Sequence, residues 1–189
     1  IDSPDNGPVL FETAFFNNEI ALIDTESGQK KWSYPTGKEW VGGVALSADG
    51  KYLAAKTSYH IYLFGTDKGE PLWSYENKKS AIGGDVKGGI AISDDGKNIF
   101  ASINESLILF HTDSNKPVWQ AKTVGNAYNV AISKDGTYLA AATAGEESNQ
   151  NSNLLILFNQ NSGTPLWQYH SSGNFHDVTF SADGTYLAA

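Results

Sequence analysis

Val44-Ala-Leu-Ser-Ala-Asp-Gly-Lys-Tyr-Leu-Ala-Ala55 decides the fold, because the chain repeats it. It returns as Ile90-Ala-Ile-Ser-Asp-Asp-Gly-Lys-Asn-Ile-Phe-Ala101, as Val130-Ala-Ile-Ser-Lys-Asp-Gly-Thr-Tyr-Leu-Ala-Ala141 and as Val178-Thr-Phe-Ser-Ala-Asp-Gly-Thr-Tyr-Leu-Ala-Ala189. A degenerate copy, Ser3-Pro-Asp-Asn-Gly7 followed by Val9-Leu-Phe11, opens the chain. In each full copy an Asp-Gly pair separates two short apolar runs, which is the strongest local signal for a β-hairpin.

Outward from this phrase lies a second one: an apolar strand, a polar turn, then tryptophan. The strands are Ile20–Ile23, Ile61–Phe64, Leu107–Phe110 and Leu154–Phe158, and the tryptophans are Trp32, Trp73, Trp119 and Trp167. Four residues before each tryptophan stand Gly28, Gly69, Asn115 and Gly163. Glycine, and next asparagine, enters the left-handed backbone region most cheaply, so this column predicts one positive-φ turn used four times. The Asp-Gly glycines Gly50, Gly96, Gly136 and Gly184 recur every 40 to 48 residues. That period is the size of one blade of a β-propeller.

Each unit therefore reads as four short antiparallel strands, in the second unit about Val41–Ser47, Tyr52–Thr57, Ile61–Phe64 and Pro71–Tyr75. Glycines at the start of the first strand (Gly42 and Gly43, Gly88 and Gly89) suit a strand crowded around a central axis. No segment carries helical periodicity beyond a turn or two. The expectation is an all-β chain forming a single β-propeller domain or fragment over 1–189, of about four four-stranded blades. Its units run approximately over 1–38, 39–84, 85–124, 125–172 and a partial 173–189. The first unit lacks most of its first strand and the last stops after two strands, so a piece of a larger ring is expected rather than a closed four-bladed one.

Composition narrows the function classes. A net charge of -8 with no basic block gives nothing for nucleic-acid phosphates to bind. Cysteine is absent, which removes disulfides, thiolate metal sites and a cysteine nucleophile. No apolar run reaches the roughly 18 residues that span a bilayer, so no membrane insertion is expected within this segment.

At these residues the chain resembles a known family. Ile20-Ala-Leu-Ile-Asp-Thr-Glu-Ser-Gly-Gln-Lys-Lys-Trp32 is similar to the repeat of PQQ-like, or quinoprotein-type, propellers, with Gly and Trp columns matching at Gly28 and Trp32, Gly69 and Trp73, and Gly163 and Trp167. The Val-Ala-x-Ser-x-Asp-Gly-x-Tyr-Leu-Ala phrase is similar to that of WD-repeat and related propellers. The resemblance covers essentially the whole chain. It implies that Trp32, Trp73, Trp119 and Trp167 pack between adjacent blades as structural residues rather than ligands' partners. The chain departs from both patterns: no Trp-Asp dipeptide is present, and no cysteine pair exists to flank a quinone. No cofactor is expected.

The candidate chemistry is sparse. His60, His111, His170 and His176 lie in different units without metal-ligand spacing and read as turn or strand-end residues. His111-Thr-Asp113 lacks the serine of a triad, and Gly83-Gly-Asp-Val-Lys-Gly-Gly89 lacks both Walker spacing and a following helix. Asp94-Asp95-Gly96 sits on the common hairpin and lacks the alternating oxygen ligands of a calcium loop. Two non-repeating features stand out as partner-binding candidates. One is the polar insertion 144–153, with Glu146 and Glu147. The other is the set preceding the inner-strand anchors: Trp40, Lys87, Tyr128, Asn129, His176 and Asp177. In a propeller these cluster at one mouth of the central channel, as a contact surface would require. The expected function is a non-enzymatic binding or scaffolding module whose partners are other proteins or neighbouring subunits, in an extracytoplasmic setting. The alternative is a quinoprotein-like oxidoreductase or a hydrolase with its catalytic residues mostly outside this segment.

Overall fold

In every copy the quoted phrase folds as a hairpin, and its serine and aspartate close it. The computed structural model describes the backbone of residues 9–12 together with residues 18–76, 88–103, 105–144 and 153–189. Ser47 accepts the N–H of Gly50 at its carbonyl (2.9 Å) and donates its own N–H to Tyr52 O (3.0 Å). The Ser47 hydroxyl donates to Asp49 Oδ1 (2.7 Å) and accepts the Tyr52 N–H. Gly50 takes φ +67° while Asp49 does not leave the right-handed side, so this is a longer turn than a two-residue type I′ loop, which needs positive φ at both centres. The same Ser-to-Asp bond recurs at Ser93–Asp95, Ser133–Asp135 and Ser181–Asp183.

Five antiparallel sheets result, and no helix lies among the described residues. The first holds β1 (Val9–Glu12), β2 (Glu19–Asp24) and β3 (Lys30–Pro35). The second runs β4 (Val41–Leu46), β5 (Tyr52–Thr57), β6 (His60–Gly65) and β7 (Pro71–Glu76). The third is β8 (Ile90–Ile92), β9 (Asn98–Ile103), β10 (Ser106–His111) and β11 (Pro117–Lys122). The fourth is β12 (Asn126–Ile132), β13 (Tyr138–Ala144), β14 (Leu154–Asn159) and β15 (Trp167–His170), and β16 (Thr179–Phe180) pairs with β17 (Leu187–Ala188) in the fifth. Each sheet meanders in sequence order, so consecutive strands within it are antiparallel neighbours. Inner strands β4, β8, β12 and β16 neighbour one another in turn, which is the arrangement of propeller blades about an axis.

The core lies between blades rather than within one. Ile20, Leu22, Leu53, Ala55 and Phe64 pack between the first and second sheets; Ala54, Ile61, Leu63, Ile90 and Phe110 between the second and third. Phe100, Leu107, Val130 and Phe158 fill the third joint, and Ala140, Leu155 and Val178 the fourth. Because β5, β9 and β13 are covered on both faces, nearly every residue in them is buried, polar Lys56, Asn98, Ser102 and Thr143 included. Outer strands β7 and β11 alternate half-buried and exposed residues, because only one face meets a neighbour.

One aromatic joint is used three times. Trp32, Trp73 and Trp119 lie against Phe64, Phe110 and Phe158 of the following blade, with ring centroids 5.3, 5.5 and 5.4 Å apart. Each indole Nε1 donates across the joint, to Thr66 O (3.1 Å), Thr112 O (2.8 Å) and Gln160 O (2.9 Å). Trp167 makes no such bond among the described residues and is 43% exposed.

The expectation of one positive-φ turn before each tryptophan is corrected. Only Gly28 is left-handed (φ +67°), with its N–H on Asp24 O. In the other units the turn closes one residue earlier, through Lys68, Ser114 and Ser162, and Gly69, Asn115 and Gly163 stay outside the left-handed region. Close approach explains the two glycines instead. A Cβ on Gly69 would lie 3.1 Å from Trp32 Cβ, and one on Gly163 would lie 3.1 Å from Trp119 Cε3. Asn115 uses its longer side chain to donate to Ser74 O of the preceding blade (3.2 Å).

Candidate interaction face

Inner strands begin, and second strands end, at the same end of each blade. The pairings Val41↔Thr57 and Asn126↔Ala144 place Trp40 and Tyr128 at that end. Lys87, Glu146, Glu147 and most of the insertion lie outside the described residues.

On this face the fourth blade carries a β-bulge. Ala127 pairs with Thr143 and Asn129 with Ala142, so Tyr128 is the extra residue of the bulge. A bulge re-aims the side chains around it. The same irregularity in the second blade falls at Gly42, which offers no side chain to aim.

Tyr128 meets His176 edge to face, with centroids 5.3 Å apart and planes at 82°. Beside them Asn129 Nδ2 donates to Asp177 Oδ1. Asn129 Oδ1 in turn accepts the Val130 N–H, and Asp177 Oδ1 the Val178 N–H, each at 2.8 Å. Hydrogen bonds thus run in one direction from the backbone through Asn129 to the carboxylate of the next sheet. Gly89 occupies the equivalent position one blade earlier, where a Cβ would collide with Asn129 Oδ1 and come within 2.8 Å of Val130 N. Four of the six residues preceding the inner-strand anchors are therefore brought together across one blade joint.

Trp40 is not joined to them by any hydrogen bond or ring contact among the described residues. Its backbone is nevertheless held firmly. Trp40 O accepts the Ser58 N–H (2.9 Å), and the preceding turn is tied by Thr36 Oγ1 to Glu39 O (2.7 Å). Its ring remains 54% exposed. Next to it is a cluster missed in the sequence. His60 Nδ1 donates to the Glu39 carboxylate (2.9 Å), and Thr57 Oγ1 donates to Glu39 Oε2 (2.5 Å) while accepting the His60 N–H. The His60 ring stacks on Tyr62, whose phenol is pushed up by burial and then by the Glu39 charge. Glu39 belongs to no repeated phrase, and its partners lie 18 and 21 residues away, so only the fold joins them.

Lys56 is a second omission. It is buried opposite Gly43, and its Nζ reaches Gly88 O of the next blade (3.4 Å). It stands where the next unit has Ser102, and that departure from a small-residue column was visible. Of the other histidines, His111 Nδ1 meets Asn98 Oδ1 (2.8 Å), and His170 ends β15. Among the described residues no three histidine or acidic side chains group to hold a metal ion.

The comparisons with known proteins agree with this architecture. The PQQ_2 family model, described as outer membrane protein assembly factor BamB, matches residues 60–188. No curated protein matches the sequence. Among solved structures, hydrazine synthase of Kuenenia stuttgartiensis superposes with a TM-score of 0.79 at 22% identity, over 98% of this chain and 52% of that one. The chain thus spans about half the length of that structure, and the likeness concerns the fold.

Proposed function

We propose, from the premise that the chain belongs to the PQQ_2 family, that it is a binding module which docks a protein partner on the face bearing Tyr128, Asn129, His176 and Asp177. The family description names an outer membrane protein assembly factor, which supports reading this chain as a scaffold in an extracytoplasmic assembly. The observation that carries the reading is the Tyr128–His176 contact set beside the Asn129–Asp177 bond. Four residues outside the repeated phrase, from two sheets, make one prepared patch. The repeated tryptophans, by contrast, are occupied in joining blades. Aromatic side chains with pre-positioned polar groups are what contact surfaces favour.

The test pairs two substitutions with a stability control. Tyr128→Ala/His176→Ala is expected to lower capture of the partner that co-purifies with the wild-type protein by roughly tenfold or more. Its melting temperature stays within about 2 °C, as for substitutions away from the core. Equal capture by variant and wild type removes this face as the docking site.

A further inference from the structure

Asp177 ends the hydrogen-bond relay with its charge unspent. Its Oδ1 takes both bonds, from Asn129 Nδ2 and from the Val178 N–H. These hold the carboxylate by one oxygen, and no hydrogen bond to Oδ2 is found among the described residues. No cation pairs with it among the described residues, whereas Glu19, Asp24, Asp49 and Asp95 each have a lysine. The group is exposed, in a chain of net charge -8. The edge-to-face pair of Tyr128 and His176 borders it, as the preceding residues of the same two strand starts.

From this juxtaposition we infer that the patch is a receptor for an arginine side chain of the protein partner. The inference rests on the docking reading above and names the chemistry of its anchor. A fixed carboxylate beside aromatic rings offers a guanidinium a charge-assisted hydrogen bond and a ring to lie against. Arginine fits better than lysine because its planar, weakly hydrated head stacks while it donates. The acidic chain also attracts a basic segment before contact, which raises the association rate more than the final affinity.

The probe is N-acetyl-arginine methylamide, titrated into the protein while the side-chain signals of Asn129 and His176 are followed by NMR. Its neutral isostere, the citrulline derivative, serves as the control. The arginine compound is expected to shift both signals saturably, with a dissociation constant on the order of millimolar for a single side chain. Citrulline is expected to leave them in place. Asp177→Asn retains an oxygen for both relay bonds while removing the charge, so it tests charge without dismantling the joint. It is expected to weaken arginine binding roughly tenfold. Tyr128→Leu, which keeps the relay intact, is expected to weaken it severalfold.

Equal shifts with citrulline, no shift with arginine, or unchanged affinity in Asp177→Asn each overturn the inference. Its fate is separable from that of the docking reading. If arginine is ignored while Tyr128→Ala/His176→Ala still loses the partner, only the arginine receptor fails. If arginine binds while partner capture is unaffected, only the docking reading fails.

Discussion

Gly69 comes so near Trp32 that a methyl group added to the glycine would lie 3.1 Å from the tryptophan Cβ. The two belong to different blades, and the glycine roofs an indole that already lies on Phe64 and donates to Thr66 O. Tryptophan and glycine thus interlock between units, although in the sequence they are read four residues apart within each one. Gly69→Ala requires the Trp32 side chain to give by a few tenths of an ångström, and a cost of about 1–3 kcal/mol is expected from overpacking. Urea denaturation measures it. In a Trp32→Ala background the cost should shrink in part, because the Cγ and Cε3 contacts at 3.4 Å are lost while Cβ stays.

The tryptophan joint should carry a large, measurable share of stability. Trp73 is half-buried against Phe110 and bonded to Thr112 O, so Trp73→Ala is expected to lose about 3 kcal/mol. A loss below about 1 kcal/mol in urea denaturation would count against the joint described above.

Acid should loosen the hairpins together. Hydrogen bonds from Lys51 and then Ser47 hold Asp49 down to about 2, and Asp135 and Asp183 are lowered chiefly by Ser133 and Ser181. Burial opposes the shift at Asp95, but Lys97 and Ser93 outweigh it. Folded values below the unfolded value of about 3.9 mean that the stabilisation is complete above about pH 4. It disappears as pH falls through the folded values toward about 2. Melting temperature measured from pH 6 to pH 2 should therefore drop mainly below pH 4. The drop should be smaller when Asp49, Asp95, Asp135 and Asp183 are all asparagine.

Glu39 should matter to the structure more than its exposed neighbour. Glu39→Ala leaves His60 Nδ1 without its acceptor and the Thr57 hydroxyl with only the longer bond to His60 O (3.2 Å), and a loss of about 1–2 kcal/mol is expected. Trp40→Ala should change stability by less than about 0.5 kcal/mol. Chemical denaturation of the two variants side by side checks the contrast.

Much of the fold was legible because its signals are local. The strands expected in the second unit begin and end within about one residue of β4 to β7, since Asp49-Gly50 and the turn before Trp73 punctuate the chain by their own backbone preferences. The asparagine and glycines of the column before tryptophan were legible as a column but not in their cause. A missing Cβ looks the same in sequence whether it permits positive φ, as at Gly28, or admits a neighbouring ring, as at Gly69. The candidate face was legible only as a set of exceptions to the repeat.

The sequence by itself determined the blade: its four strands, its hairpins and the aromatic residue that each unit offers to the next. These follow from periodicity and turn chemistry, which act over a few residues. Tertiary structure alone decided what meets across blades. The bulge that aims Tyr128 at His176, the bond between Asn129 and Asp177, and the grip of His60 and Thr57 on Glu39 join residues 18 to 48 positions apart. Such pairs leave no periodic trace, because packing of one sheet on another, rather than the preference of any segment, brings them within reach.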